Sequence, residues 1–179
     1  MSSDGSQPSV LIDREQLQRR VIELAAEIES CVPQDAELVL VGVLTGAFVF
    51  LADLTRAISR THRDAFVRVS SYDENDQPIP LTVHETKTPE LRGKHVVLVD
   101  DIVDRGRTLV FLKEWATAQG ARSVRCCALL NKPSGRETEI TPDWIGFDVP
   151  DVWVVGYGMD SGGLYRSLPY VGVLDQTGR

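Results

Sequence analysis

Residues Val96 to Leu109 read VVLVDDIVDRGRTL, and they restrict the fold of this chain more tightly than any other stretch. The apolar run Val96–Val99 is the pattern of a strand buried on both faces, as found inside parallel sheets covered by helices. It stops at paired carboxylates, Asp100 and Asp101. A short turn through Asp104, Arg105, Gly106, Arg107 and Thr108 then opens into an amphipathic pattern. That pattern predicts a helix from Thr108 to Gln119, with Leu109, Leu112, Trp115 and Ala116 inward and Gly120 closing it. A strand that delivers carboxylates to its C-terminal edge, followed by a helix N-terminus, can hold a phosphorylated sugar. The amides of residues 105 to 108 would face the phosphate, and Gly106 lets the backbone approach closely. Asp100 and Asp101 can accept hydrogen bonds from sugar hydroxyls, directly or through a metal. Acidic residues after a strand often only cap the next helix. Here strand, two carboxylates, a third at Asp104, then Gly and Thr arrive in order, which favours a ligand site.

The remaining elements alternate around this one. Asp13 with Gln16 three residues on reads as a capping box opening a helix, with Leu17, Val21, Leu24, Ala25 and Ile28 on one face. Glu37–Val43 is an apolar strand. A second helix follows, with Phe48, Leu51, Ala52, Thr55 and Ile58 as its predicted buried face. Ala65–Ser71, His95–Val99 and Val124–Leu130 read as further strands. Between Asp73 and Arg92 lie three prolines and five acidic residues with little periodicity, the texture of a binding loop or lid. Strands spaced by helices imply an α/β fold, a twisted, mainly parallel sheet flanked by helices, with ligands bound beyond the strand C-termini. After Lys132 the pattern breaks into short strands and turns around Trp144, Trp153 and Tyr170, expected to form a small subdomain over that edge.

Composition fits a cytoplasmic enzyme. With 179 residues, 42% apolar and 25% charged, the chain suits one globular domain over residues 10–179, with residues 1–9 as a flexible, polar tail. Net charge is 19 minus 26, or −7, which argues against a nucleic-acid partner. A polyanionic substrate on so acidic a chain calls for local Lys/Arg groups, helix N-termini and Mg²⁺. Cys31, Cys126 and Cys127 show no CxxC spacing and read as reduced thiols, with Cys126 and Cys127 on opposite faces of one strand. His62, His84 and His95 lack metal-ligand spacing. Nothing in the first residues resembles a signal peptide, and no stretch approaches a membrane span.

The Val96–Leu109 segment resembles the PRPP-binding signature of the type I phosphoribosyltransferases. The C-terminal third narrows the resemblance. Segments 131–134 (NKPS), 143–147 (DWIGF), 152–160 (VWVVGYGMD) and 165–174 (YRSLPYVGVL) are similar to hypoxanthine phosphoribosyltransferases, as are 43–48 (VLTGAF), 51–54 (LADL) and 70–72 (SSY). The likeness runs from Val10 to Leu174. It implies the type I phosphoribosyltransferase fold with a small hood, built from about residues 10–16 and 132–174. The implied activity is Mg²⁺-dependent purine salvage, transfer of 5-phosphoribosyl from PRPP to hypoxanthine or guanine, giving IMP or GMP and pyrophosphate. A homodimer or homotetramer is expected.

The resemblance also assigns roles. Asp104 would handle the proton on the purine's N7, as a carboxylate acid/base can. Asp100 and Asp101 would hold the ribose hydroxyls, and Arg105, Gly106, Arg107 and Thr108 the 5′-phosphate. Lys132 would reach the 6-oxo group, Trp153 stack on the base and the Val154 backbone read its edge, with Asp160 beside the base. Asp160, together with Asp100 and Asp101, would meet Mg²⁺. Leu44, Thr45 and Gly46 would form the pyrophosphate turn, with a cis peptide before Thr45, and Arg166 would grip the pyrophosphate.

Two positions depart from the pattern. Thr45 stands where many relatives carry lysine or arginine. Ser161-Gly162-Gly163 replaces a bulkier stretch and predicts a looser turn. The competing reading is a regulator that keeps the fold and senses PRPP or nucleotide. Such a protein needs a nucleic-acid-binding face that a chain of this length and charge does not offer.

Overall fold

The computed structural model describes residues 7–72, 78–84 and 90–174. Among them, α1 (Arg14–Ser30), α2 (Phe48–Ala57) and α3 (Arg107–Ala118) alternate with nine strands. These are β1 (Ser9–Ile12), β2 (Leu38–Leu44), β3 (Arg63–Tyr72), β4 (Pro78–His84), β5 (His95–Val103), β6 (Ser123–Asn131), β7 (Trp144–Asp148), β8 (Val154–Val155) and β9 (Val171–Val173). The large sheet has the order β4-β3-β2-β5-β6-β7. Its neighbours are parallel except β3 and β4, which run antiparallel. β1, β9 and β8 form a separate antiparallel sheet.

Alternation along the central strands divides the core in two. Leu38 and Leu40 of β2, Val97 and Val99 of β5, and Cys127 and Leu129 of β6 face α1 and α2. Val39 and Val41, Val96 and Leu98, and Cys126 and Ala128 face α3. The two cysteines thus lie on opposite faces, as the pattern required. Burial pushes both thiols up, Cys126 to about 12, which leaves them as inert packing groups. The small sheet joins the first of these clusters through Ile12, Val154 and Val171.

α1 forms as its sequence dictates. Asp13 accepts the Gln16 N–H at 2.8 Å, Gln16 Oε1 accepts the Asp13 N–H at 2.9 Å, and all five predicted inward residues are buried. α3 buries Leu109, Leu112 and Ala116, with Trp115 only partly covered.

Four expectations are corrected. The first concerns α2, which buries Phe50, Leu51 and Leu54, while Phe48 is 40% exposed and Ala52 points outward. Three apolar residues in succession, Phe48, Val49 and Phe50, leave the helical phase ambiguous, and burial in the core shared with α1 and the sheet selects Phe50. The second concerns Asp73–Arg92, which contains a strand, β4, paired with β3 from Arg68↔His84 to Tyr72↔Pro78. Ile79, Leu81 and Val83 alternate in sequence. Pro78 and Pro80 are tolerated because β4 is an edge strand that need not donate on its outer side. The parts of that lid expectation at 73–77 and 85–89 lie outside the described residues.

Third, β7 is the sixth strand of the large sheet, not part of the hood. Its Trp144 pairs with Cys127 of β6. The hood sheet itself is confined to β1, β8 and β9. Fourth, Gln7 and Ser9 are held by the fold and do not belong to a flexible tail. Ser9 opens β1 opposite Val173, and Gln7 donates to the Tyr170 hydroxyl at 3.2 Å.

The phase of α2 is directly testable. Phe50→Ala should cost about 3–5 kcal/mol, as for a fully buried aromatic, whereas Phe48→Ala should cost under about 1 kcal/mol. Urea denaturation of both variants checks the difference, and the reverse order would restore the original phase.

Candidate active site

β5 runs four residues further than its apolar pattern, to Val103, because it stays paired with β6 up to Val103↔Asn131. Asp100 and Asp101 therefore sit inside the sheet's C-terminal end. Asp100 is 6% exposed. Burial, followed by repulsion from Asp101, holds its carboxyl well above the usual carboxylate range. Burial also raises Asp101, against an opposing pull from the Arg166 guanidinium.

The chain then turns through Asp104 and Arg105 into α3, whose cap is Gly106 at φ 84°. No side chain caps this helix; Asp104 does not do so, and the first internal bond runs from the Val110 N–H to the Gly106 carbonyl. The amides of its first turn are left to point out of the helix end. A side chain at Gly106 would meet both an unfavourable φ and the Thr138 hydroxyl.

Residues 131–140 fold over this loop. Arg136 donates to the carbonyls of Asp104 (3.0 Å), Val103 (3.3 Å) and Ile140, and to the Asn131 side chain. Glu137 bridges Arg105 at 2.8 Å and Arg107 at 2.6 Å. The same fold brings Lys132 beside β5, where its N–H bonds the Val103 carbonyl at 2.9 Å. Lys132 is 7% exposed, and its Nζ donates to the Val152 carbonyl at 2.6 Å, with Asp151 at 3.7 Å.

These contacts build a cleft of about 500 Å³ lined by Asp104, Lys132, Asp151, Val152, Trp153, Val173 and Leu174. Asp104, Lys132 and Trp153, spread over fifty positions of sequence, share it. Trp153 is 47% exposed, an aromatic face open for stacking. Val154 lies beside the cleft, paired with Val173, but does not line it.

A second group gathers at Asp101. Leu44–Thr45 is a cis peptide, and Gly46 lies so close to Asp101 that any Cβ there would strike the carboxylate. Gly158 packs equally closely on the Gly46 carbonyl. Arg166 donates to the Gly158 carbonyl at 2.7 Å and pairs with Asp160 at 2.7 Å. Asp160 also accepts the Gly163 N–H at 2.7 Å and lies outside the lining of the Trp153 cleft. The expected loose turn at Ser161–Gly163 is closed instead, by reciprocal bonds between Ser161 and Leu164.

Sequence reasoning overlooked Asp151, Gly135, Arg136 and Glu137. Gly135 packs against the Asp104 carboxylate. The Arg105 and Arg107 pairs with Glu137 span about thirty residues, so no local pattern could have announced them.

The site's layout has counterparts among known proteins. The phosphoribosyl transferase domain family matches residues 11–162. The hypoxanthine-guanine phosphoribosyltransferase of Bacillus subtilis is 40% identical over 166 residues, covering 92% of each chain. The hypoxanthine phosphoribosyltransferase of Salmonella typhimurium is 38% identical, covering 91% of this chain and 93% of its own. A crystal structure of a hypoxanthine-guanine phosphoribosyltransferase from Bacillus anthracis superposes with a TM-score of 0.86 at 37% identity, covering 93% and 98% of the two chains. With agreement of this extent in sequence and fold, the chain belongs to the type I phosphoribosyltransferases, in the hypoxanthine-guanine phosphoribosyltransferase branch.

Proposed function

We propose that this enzyme transfers the 5-phosphoribosyl group of PRPP to hypoxanthine or guanine, releasing pyrophosphate and forming IMP or GMP. The observation that carries the reading is the cleft in which Asp104, Lys132 and Trp153 meet beside the uncapped N-terminus of α3. In this reading the first-turn amides of α3 take the 5′-phosphate, aided by the helix dipole. The Leu44–Gly46 turn and Arg166 take the pyrophosphate beside Asp101. The purine stacks on Trp153, Lys132 donates to its 6-oxo group, and the Asp104 carboxylate holds the N7 proton.

Breaking the anomeric bond builds positive charge on the sugar and negative charge on the departing pyrophosphate. The Arg166 guanidinium and the turn amides stabilise the latter by prearranged electrostatics. Assay with hypoxanthine, guanine and xanthine plus PRPP tests the reading. Binding of PRPP without turnover would instead mark a sensor.

Mg²⁺ fits this arrangement. Asp100 and Asp101 are two adjacent buried carboxylates, each raised by burial, which is the environment a hard cation relieves. Among the described residues no group of three or more His, Cys, Asp or Glu side chains could hold a metal. Mg²⁺ held through Asp100 and Asp101, with Asp160 nearer the pyrophosphate, would draw its other ligands from substrate and water. It would supply charge neutralisation for the leaving group. The assembly follows the branch in this proposal, as a homodimer or homotetramer. No helix of the described residues is long and apolar enough to cross a membrane.

Asp104→Asn should lower kcat by roughly 10²–10⁴, the usual worth of a positioned acid/base, with little change in PRPP affinity. Steady-state kinetics decide this, and an unchanged kcat would remove Asp104 from the chemistry.

The wild type should reject adenine by roughly 10⁴–10⁵ in kcat/KM. An ammonium has donors only, so it cannot pair with a 6-amino group. Lys132→Ala should shrink that ratio mainly by harming hypoxanthine; equal use of both bases by the wild type would refute the assignment.

Asp100→Asn should stabilise the protein while weakening PRPP binding. Asn keeps the acceptor for the Asp101 N–H, at 3.1 Å, and removes a buried charge. A carboxyl raised in the folded state adds stability only while protonated. That contribution is full below its unfolded pKa and is lost as pH rises through the folded value. At neutral pH the variant should melt at least about 2 °C higher, and the gap should close towards pH 4. Thermal melts across pH check this; a variant melting below wild type at pH 7.5 would contradict it.

A further inference from the structure

Tyr157 stands in the short connection between β8 and the Asp160–Arg166 pair, and no reading of the sequence gave it a role. It is 5% exposed and adopts φ 49°, between Gly156 at 93° and Gly158 at 103°. Three successive residues with positive φ make a tight strap, fixed at its base by the Tyr157 N–H to the Leu168 carbonyl (2.9 Å) and the Gly158 N–H to the Arg166 carbonyl (3.0 Å). The phenol O–H donates to Asp53 on α2, whose other carboxylate oxygen pairs with the exposed Arg56. Burial and the Asp53 carboxylate push the phenol well above its ordinary value, so it remains a donor throughout the physiological range.

This bond joins the two halves of one subsite. Asp53 lies one turn beyond Val49 on the face of α2 that meets the strap, since Gly158 packs against both Val49 and the Gly46 carbonyl. The turn Leu44–Thr45–Gly46 leads directly into α2. Across from it, the Gly158 carbonyl holds the Arg166 guanidinium at 2.7 Å. The separation between the turn amides and Arg166 is therefore set by how firmly α2 is held to the strap. Glycine-to-backbone contact supplies the closeness, and the Tyr157–Asp53 bond supplies a directional, charge-assisted tie.

We propose that Tyr157 and Asp53 are a positioning pair that fixes the distance between the Leu44–Gly46 turn and Arg166, and so sets affinity for the diphosphate group. The proposal rests on the phosphoribosyl-transfer reading above, because it concerns the subsite assigned there to pyrophosphate. Neither residue touches the substrate; both act through the groups that do. The bond counts for more here than in a richer site, because Thr45 offers no charge to the turn and Arg166 is the guanidinium on which the grip depends.

The reverse reaction, IMP plus pyrophosphate, separates the subsites. Tyr157→Phe keeps the ring and deletes the hydroxyl, and Asp53→Ala deletes the acceptor at a helical position where alanine is well tolerated. Each should raise KM for pyrophosphate about tenfold and leave KM for IMP within about twofold. The double variant should be no worse than either single one, because both remove the same bond. A purely structural role would lower the folded fraction and the apparent kcat without splitting the two KM values. Unchanged KM for pyrophosphate, equal rises in both constants, or additive effects in the double variant would overturn the pair. A wild type that forms no PRPP from IMP and pyrophosphate would overturn the activity itself, and that result precedes any variant.

Discussion

Burial of β5 on both faces is the constraint from which the rest of the site follows. Its backbone is paired in parallel with β2 on one side and β6 on the other, and its side chains feed both halves of the core. The strand cannot slip by one residue without exchanging Val97 and Val99 for Val96 and Leu98 between faces. That fixed register places Asp100 and Asp101 at the sheet's end and aims the following turn into α3. A rigid strand of this kind can hold two carboxylates where burial disfavours their ionised forms.

Two approaches assemble around that strand end, and they use different physics. On one side, residues 131–140 are tied down by polar contacts, with Arg136 donating to the Val103 carbonyl of β5 and the Asn131 side chain of β6, and Glu137 neutralising Arg105 and Arg107. On the other, backbone lies directly against backbone or carboxylate at Gly46 and Gly158, where any side chain would force the layers apart. The first arrangement rests on side-chain contacts that converge from several elements. The second fixes a close approach of backbone layers.

Electrostatics explains how an acidic chain can take a polyanion. A net charge of −7 gives no overall attraction for it. Positive potential is instead concentrated in fixed elements, namely the uncapped first turn of α3, the Arg166 guanidinium held between Gly158 and Asp160, and the buried Lys132 ammonium held on the Val152 carbonyl. In a partly desolvated cleft such groups act more strongly than exposed charges screened by salt.

The sequence by itself determined the alternating α/β core, the capping box of α1, the two-faced β6 and the acidic strand end before a glycine-bearing turn. Each of these is written in local periodicity or in a residue's own conformational limits, and the motifs around Lys132, Trp153 and Arg166 pointed to the chemistry through resemblance. Tertiary structure alone decided the phase of α2, because Phe48, Val49 and Phe50 are all apolar and only the core shared with α1 and the sheet chooses among them. It also decided that Pro78–His84 pairs as an edge strand, where the alternation of Ile79, Leu81 and Val83 outweighs two prolines, and that β7 completes the large sheet. The Glu137 bridges, the Arg136 lock and the Tyr157–Asp53 bond connect residues from about thirty to more than one hundred positions apart. A hydrogen bond depends on distance in space and carries no trace in the spacing of its partners along the chain, so these contacts appear only once the chain has folded.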